Sequence, residues 1–206
     1  MRNHQGDAAV RAILAKPVAS PQIGGHLALD FCNTAGEHLA HHPDEMLLEW
    51  ESFVRWAAQV GLIVPETYPE LLRHPAPINK IVQLREAIYR VGLAIARGET
   101  IPQHDLLAIR KQATASKPAV ISSPDGLRWQ PDPSRVSTQL RAILASEALS
   151  LFCSPRSTRI GICEGGQCGW LFVDESRGKR RRWCDMKDCG NKAKARRYYQ
   201  QQHKGK

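Results

Sequence analysis

The sequence predicts an α+β protein: a mostly helical N-terminal body with a short strand and a β-hairpin, followed by a small C-terminal unit. Apolar residues recur at helical intervals before residue 154, whereas four of the six cysteines fall in the 27 residues from Cys163 to Cys189. The charge divides at the same place, since residues 1–150 carry 15 basic and 15 acidic side chains and residues 151–206 carry 14 and 5. The net charge of +9 therefore lies in the C-terminal unit, which favours a module for a polyanion over a solubility tail.

The start of the body is predicted from a short apolar run. Residues 1–25 show no sustained periodicity and are expected to form a mobile leader. Residues 26–31 are apolar and lie between two glycines and Asn33-Thr34, which predicts a buried strand. Asp30 and Asn33 would then stand at the end of this strand. There they either cap a following turn or line a ligand pocket.

Helical periodicity accounts for most of the body. Four helices are predicted, over residues 43–61, 78–97, 102–116 and 133–154. Between the last two, residues 119–129 form two β-type runs about Asp125-Gly126, which predicts a hairpin. Arg85 lies on the apolar stripe of the second helix, so its side chain either reaches out to water or holds an anion or a buried carboxylate. Because these stripes can bury a core, we expect the body to fold without the C-terminal unit.

The clustered cysteines predict a metal site. They form two pairs with four intervening residues each: Cys163 with Cys168, and Cys184 with Cys189. Each gap lets the chain turn back so that both thiolates of a pair face one ion, and two such knuckles complete a tetrahedron. Zn²⁺ held by four thiolates is the usual structural arrangement and leaves no position for substrate water. An iron–sulfur cluster and a redox-active cysteine pair remain alternatives.

The segment around these cysteines is predicted to form a treble-clef-like zinc finger, with a strand or hairpin between the pairs and a terminal helix from about Asn191. Its aromatic residues Trp170, Phe172 and Trp183 form either a small core or a platform for stacked bases. The predicted nucleic-acid-binding residues are its cations: Arg177, Lys179, Arg180, Arg181, Arg182, Lys192, Lys194, Arg196 and Arg197. The three consecutive arginines suit a sequence-independent clamp on phosphates, whereas the arginines of the helix can contact guanine in bidentate fashion.

Further residues around the cysteines carry a resemblance to a known family. They are Trp170, Phe172, Asp174, Ser176, the arginine run, Trp183, Met186 and the closing run Cys189-Gly-Asn191-Lys192. Together with the cysteine spacing, they make residues 159–200 resemble the CGNR zinc-finger family, which is named for a Cys-Gly-Asn-Arg run. Lys192 stands where the family signature has arginine. Lysine keeps the charge but loses bidentate contact with phosphate or guanine, which puts a base-specific role at that position in doubt.

The N-terminal part resembles the module that precedes this finger in the same family. The run His26-Leu-Ala-Leu-Asp30-Phe31-Cys32-Asn33-Thr34 is similar to the opening motif of the module called ABATE. The resemblance implies an ABATE-like helical α+β domain over residues 26–154 and a CGNR-type finger with a basic C-terminal helix over residues 159–206. Residues 154–157 would form the linker.

The same resemblance implies a function. Proteins of the family are regarded as stress-induced transcription regulators in bacteria. We therefore expect a zinc-finger protein that binds nucleic acid, with duplex DNA as the favoured partner, and regulates transcription. The N-terminal domain would sense a small-molecule effector, and Asp30, Asn33 and Arg85 are its candidate ligand-binding residues.

Compartment and activity are predicted from what the sequence lacks. The apolar stretch of residues 8–15 is interrupted by Arg11 and is followed by no evident cleavage site, and no apolar run reaches about 18 residues. We expect a cytoplasmic protein without membrane contact, whose reduced thiols favour metal over disulfides. Residues 1–150 contain no recognisable set of nucleophile, base and orienting group, so we do not expect an enzyme. The alternative is a small-molecule-binding protein or enzyme whose basic finger mediates assembly or binds RNA.

Overall fold

The computed structural model of the protein describes residue 18 and residues 20–64, 67–123 and 126–203. Within these ranges it is an α+β structure in which helices predominate, as predicted. The helices are α1 (Leu27–Cys32), α2 (Trp50–Gln59), α3 (Tyr68–Arg73), α4 (Ile78–Arg97), α5 (Gln103–Ala113), α6 (Val136–Phe152) and α7 (Asn191–His203). The strands pair antiparallel as β1 (Ala35–Gly36) with β2 (Asp44–Glu45), β3 (Ala119–Ser123) with β4 (Gly126–Gln130), and β5 (Ile160–Ile162) with β6 (Leu171–Val173). Residues 1–17 and 19, most of the predicted leader, lie outside the described residues.

Helix α4 is the central helix of the body and has the bounds predicted for it. Its residues Ile81, Ile88 and Val91 are almost completely buried at helical spacing, as an amphipathic stripe requires. The helix ends at Gly98, which adopts a left-handed φ of 66° that glycine reaches without steric cost. Helix α6 packs against α1, α4 and α5, so these four helices enclose most of the body core.

The predicted strand over residues 26–31 is wrong, because this stretch is helix α1. His26 caps the helix: its Nδ1 accepts a hydrogen bond from the backbone N–H of Ala28 at 3.3 Å. At the other end the N–H of Asn33 donates to the carbonyl of Leu29 at 2.9 Å. The helix is buried between α4 and α6, so apolar residues are needed on almost every side. A six-residue apolar run therefore carries no period that separates a strand from a helix.

The helix predicted from residue 43 begins later, at Trp50. Asp44 and Glu45 instead form β2, where Glu45 accepts two hydrogen bonds of 2.6 Å from the guanidinium of Arg85. Such a bidentate charged pair outweighs the roughly 0.3–1 kcal/mol that an acid contributes at a helix N-terminus. The helix start is capped instead by Ser52, whose hydroxyl accepts from the N–H of Glu49 at 3.1 Å.

The predicted hairpin is confirmed over the residues that the structure describes. Strands β3 and β4 pair Val120 with Trp129 and Ser122 with Leu127. Of the Asp-Gly turn, Asp125 lies outside the described residues. Helix α3 was not predicted, since only Tyr68 and Leu71 are buried in its six residues and this is too few to establish a period.

The C-terminal hairpin β5–β6 lies inside the core of the body. Ile160, Leu171 and Val173 belong to the same buried apolar cluster as the body helices, and Leu171 is fully buried. Gly92 of α4 makes room for it, since a methyl group there would lie 2.9 Å from Cδ1 of Leu171. Body and finger therefore share one core, in contrast to the expectation that the body is complete without the finger.

Within the part of the chain that the structure describes, no helix combines the length and the apolar character needed to cross a membrane.

Candidate metal centre and nucleic-acid interface

The four predicted metal ligands converge on one point. Cys163 follows β5, Cys168 lies in the loop before β6, Cys184 follows the arginine run, and Cys189 sits in a π-helical turn, Met186–Gly190, that leads into α7. Their four Sγ atoms all lie within 4.8 Å of one another. The Sγ of Cys184 is 3.7 Å from that of Cys168 and 3.6 Å from that of Cys189. This cluster of thiols is suited to binding a metal ion with all four sulfurs.

The first knuckle is built around glycines. A methyl group at Gly165 would lie 2.7 Å from the Sγ of Cys189 and 3.2 Å from that of Cys163, so a side chain there would displace the ligands. Gly166 adopts a φ of +75°, which reverses the chain between the first two cysteines. The knuckle is closed by a hydrogen bond of 2.8 Å from the N–H of Cys163 to the carbonyl of Trp170.

The aromatic residues of the finger form a small core next to the metal site. Phe172 is fully buried against Cys163, Cys184 and Cys189, with Trp170 and Trp183 packed around them. The structure thus places these rings as packing rather than as a platform for bases. A cluster of this size cannot stabilise the finger alone, so the metal and the body must supply the rest.

Backbone and side-chain hydrogen bonds join the metal site to the body. The N–H of His38 donates to the carbonyl of Cys168 at 2.8 Å, and the hydroxyl of Tyr89 donates to the carbonyl of Gly169 at 3.0 Å. Trp170 Nε1 donates to the carbonyl of Ala35 at 2.7 Å. The first knuckle is therefore held by β1, by the loop that follows it and by α4, which orients the whole centre on the body.

Arg181 is engaged inside the finger. Its Nη2 donates to the carbonyls of Ile23 at 2.8 Å and Cys184 at 2.6 Å, and its Nε donates to that of Trp183 at 3.1 Å. The guanidinium also lies over the ring of Phe172, 4.3 Å from its centre. These contacts tie the second knuckle to the start of the body and leave this arginine little freedom to reach a phosphate.

Three more of the predicted nucleic-acid-binding cations have partners within the protein. Arg182 pairs with Glu164, and its guanidinium lies 5.1 Å from the ring centre of Trp183. Lys179 donates to the carbonyl of Thr158 at 3.1 Å, and Lys192 pairs with Asp188 at 2.9 Å. All three side chains are solvent-exposed. The remaining exposed members of the set are Arg177, Arg180, Lys194, Arg196 and Arg197.

The three candidate effector ligands are occupied by contacts within the protein. Asp30 Oδ1 accepts from the N–H of Gly24 at 2.8 Å; burial raises the pKa of this carboxyl, and the backbone N–H groups only partly offset the rise. Asn33 is hydrogen-bonded to Leu171, and Arg85 to Glu45. Arg85 also donates to the hydroxyl of Thr34 at 3.3 Å, whereas the Asn33 side chain is turned towards Leu171. Their role in binding an effector stays a prediction.

A partly buried charge network beside the metal site was not predicted. His38 Nε2 lies 3.1 Å from Glu86 Oε2, and Arg85 donates from Nε to Glu86 Oε1 at 2.9 Å. His38 also stacks on Tyr89 with the ring centres 3.5 Å apart. The position of Arg85 on an apolar stripe was the signal of a buried partner, but its partner Glu45 lies 40 residues away and nothing local identifies it.

Comparison with known families agrees with this geometry. Residues 159–202 match the CGNR zinc finger, and residues 25–155 match the ABATE family, whose description is "Putative stress-induced transcription regulator". The second match alone spans more than half of the chain. No curated protein matches the chain. The resemblance found in the sequence is confirmed, and the chain belongs to the ABATE family and carries a CGNR zinc finger at its C-terminal end.

Proposed function

We propose that this protein is a transcription regulator whose finger holds a zinc ion and binds duplex DNA. The observation that carries the proposal is the placement of α7. It begins at Asn191, directly after the metal knuckle, and every residue from 191 to 202 except Ala193 is exposed. Thirteen helical residues span about 20 Å, and a single helix fits the major groove, which is about 12 Å wide.

The composition of α7 supports a polyanionic partner. The helix has four cations, Lys192, Lys194, Arg196 and Arg197, and contains no acidic residue. It has no apolar stripe by which it could pack on the body, in contrast to α4 or α6. A helix of this kind is stabilised by its attachment to the metal knuckle and by whatever it binds. Its single sign of charge favours nucleic acid.

A second basic element lies in the loop after β6. Asp174 fixes this loop by accepting from the N–H groups of Ser176 at 2.8 Å and Arg181 at 2.9 Å. The loop presents the exposed side chains of Arg177 and Arg180 to solvent. Two basic elements anchored on one metal centre support a mode of binding in which the loop contacts phosphates and the helix approaches the groove.

Zinc is the proposed ion because it is the usual occupant of a closed site of four thiolates, and the spacing of the sulfurs fits a single tetrahedral ion. Thiolates bound at about 2.3 Å around a tetrahedral zinc lie about 3.8 Å from one another. The distances of 3.6 and 3.7 Å between Sγ atoms agree with this spacing. Four thiolates would fill the coordination sphere, so the ion would stabilise the finger and we propose a binding rather than a catalytic role. Elemental analysis should find one zinc per chain; iron with visible charge-transfer absorption would replace this assignment.

The experiment that tests DNA binding compares partners and variants at several salt concentrations. Fluorescence anisotropy should show tighter binding to duplex DNA than to single strands or structured RNA of equal length. Replacing Arg177 and Arg180 with alanine should make the slope of log affinity against log salt shallower by about 0.9 per lost phosphate contact. The control variant removes two exposed cations of α5, Arg110 and Lys111, and should leave the slope unchanged. Preference for RNA would support the alternative partner.

A further inference from the structure

The two sides of α7 differ in what surrounds them. With 3.6 residues per turn, Lys192 and Arg196 lie on one side of the helix, and Lys194 and Arg197 lie on another, centred about 150° away. We call these the inner side and the outer side. The difference matters because both sides carry one lysine and one arginine, so composition alone does not show which side meets a ligand.

The inner side faces carboxylates. Lys192 and Arg196 line a cleft of about 680 Å³ between the metal site and the β1–β2 ribbon, together with Glu37, Asp44 and Asp188. Asp188 pairs with Lys192 at 2.9 Å, and its hydrogen bond and charge raise the pKa of Lys192. A DNA phosphate entering here would meet three carboxylates. On the inner side the charge of Lys192 is thus paired within the protein, and Arg196 shares the cleft with the same carboxylates.

Arg196 also covers the first knuckle. A methyl group at Gly166 would lie 3.2 Å from its Nη1 and 3.5 Å from its Nη2, so the guanidinium rests on the backbone of this glycine. To contact a base, Arg196 would have to move away from Gly166 of the first knuckle. Its position suits a residue that attaches the helix to the metal site.

The outer side is open. Among the described residues, neither Lys194 nor Arg197 has a hydrogen bond or an ion pair, and both side chains are exposed. Tyr198 lies beside them with 60% of its surface exposed, and its hydroxyl accepts from Gln202 Nε2 at 3.1 Å. Both cations here are free to bind without first breaking an internal contact.

We propose that α7 meets duplex DNA with its outer side and that Arg197, rather than Arg196, is the residue that selects the base sequence. This inference rests on the proposed DNA-binding function. An arginine with a free guanidinium can donate two parallel hydrogen bonds to O6 and N7 of guanine, which distinguishes this base by roughly 5- to 160-fold. Lysine keeps the charge but lacks the fork, so an Arg197→Lys exchange separates base selection from charge.

The test uses Arg197→Lys and Arg196→Lys as a matched pair in the full-length, metal-loaded protein. Sequences bound by the wild type are first selected from random duplex DNA. The ratio of Kd values for a scrambled and a selected duplex is then measured for each variant. We expect Arg197→Lys to lower this ratio by roughly 5- to 160-fold, with the Kd for scrambled DNA within about twofold of wild type. Arg196→Lys should keep the ratio.

A second pair tests the side of the helix through charge. Lys194→Ala should make the salt slope shallower by about 0.9, whereas Lys192→Ala should leave it unchanged. Loss of preference in Arg196→Lys with preference retained in Arg197→Lys would overturn the inference and leave the proposed function standing. A wild-type protein that binds duplex DNA without sequence preference would also overturn the inference and leave the proposed function standing. A wild-type protein without affinity for duplex DNA would overturn both.

Discussion

The side chain of Asn33 and the backbone of Leu171 exchange two hydrogen bonds, in the way that the backbones of two paired strands do. Nδ2 of Asn33 donates to the carbonyl of Leu171 at 2.9 Å, and the N–H of Leu171 donates to Oδ1 of Asn33 at 3.0 Å. Both residues are fully buried and lie 138 positions apart in the sequence. The carboxamide thus pairs with the backbone N–H and carbonyl of Leu171, on the side of β6 that faces away from β5. It fixes the finger hairpin on the body.

Asn33→Ala should therefore destabilise the whole protein. The exchange leaves a buried N–H and a buried carbonyl of Leu171 without partners, and such groups cost about 1–3 kcal/mol each. We expect the free energy of unfolding to fall by about 2–6 kcal/mol in urea titrations. The control is Asn79→Ala on the exposed surface of α4, which should change it by less than about 0.5 kcal/mol. Equal effects of the two exchanges would show that the Asn33 contact is unimportant.

Replacing Arg181 should destabilise the protein, whereas replacing its neighbour Arg180 should not. Arg181→Ala removes hydrogen bonds to three carbonyls and a cation–π contact, so it should lower the free energy of unfolding by about 2–4 kcal/mol and speed metal loss to a chelator. Arg180→Ala should leave both unchanged, because its side chain is exposed. Arg181→Lys should not restore stability, since one ammonium group cannot bridge the same carbonyls. A stable Arg181→Ala protein that binds DNA less tightly would instead assign Arg181 to the phosphate clamp.

A chain ending at residue 155 should not form the native body. It lacks Ile160, Leu171 and Val173, whose burial stabilises the core by about 1.5–3 kcal/mol each. Their sum is comparable with the total stability of a domain, about 5–15 kcal/mol. Circular dichroism and urea titration of residues 1–155 should show helices without a cooperative transition. A cooperative transition like that of the full chain would mean that the body is complete without the finger, as the helical stripes alone suggest.

Stability should depend on the ionisation of Glu86. Burial alone would raise the pKa of this carboxyl, but His38 and Arg85 lower it to about 2, against 4.5 in an unfolded chain. The group therefore stabilises the folded protein fully above about pH 4.5, and this contribution is lost as the pH falls towards 2. The difference in free energy of unfolding between wild type and Glu86→Gln should shrink over that window. A difference that is constant from pH 7 to pH 3 would contradict the lowered pKa.

The sequence contained enough information for the metal site and for the longest helix. The cysteine spacing identified Cys163, Cys168, Cys184 and Cys189 because each knuckle is local. The bounds of α4 could be predicted because its signals are also local. Five apolar residues recur at intervals of three and four, and Gly98 ends the helix. Local patterns failed where burial is complete, as in α1, whose short apolar run has no polar face to mark its period.

The relation between finger and body could not be predicted, because it depends on contacts between distant residues. Asn33 was singled out as a cap or a ligand-pocket residue, and nothing near it in the sequence indicates Leu171 as its partner. The arginine run shows the same limit. Arg180, Arg181 and Arg182 are alike in the sequence, yet they respectively face solvent, bind three backbone carbonyls and pair with Glu164. Only tertiary structure distinguishes their roles.

The central claim is that the metal centre arranges the basic loop and α7 for binding to duplex DNA. It is tested most directly by measuring duplex affinity while the metal is removed and restored. The account predicts that chelation abolishes most of the affinity at constant ionic strength and that one equivalent of zinc restores it, whereas Cys163→Ser protein stays weak after zinc is added. Metal-free protein that binds the duplex with unchanged Kd and salt slope would contradict the account.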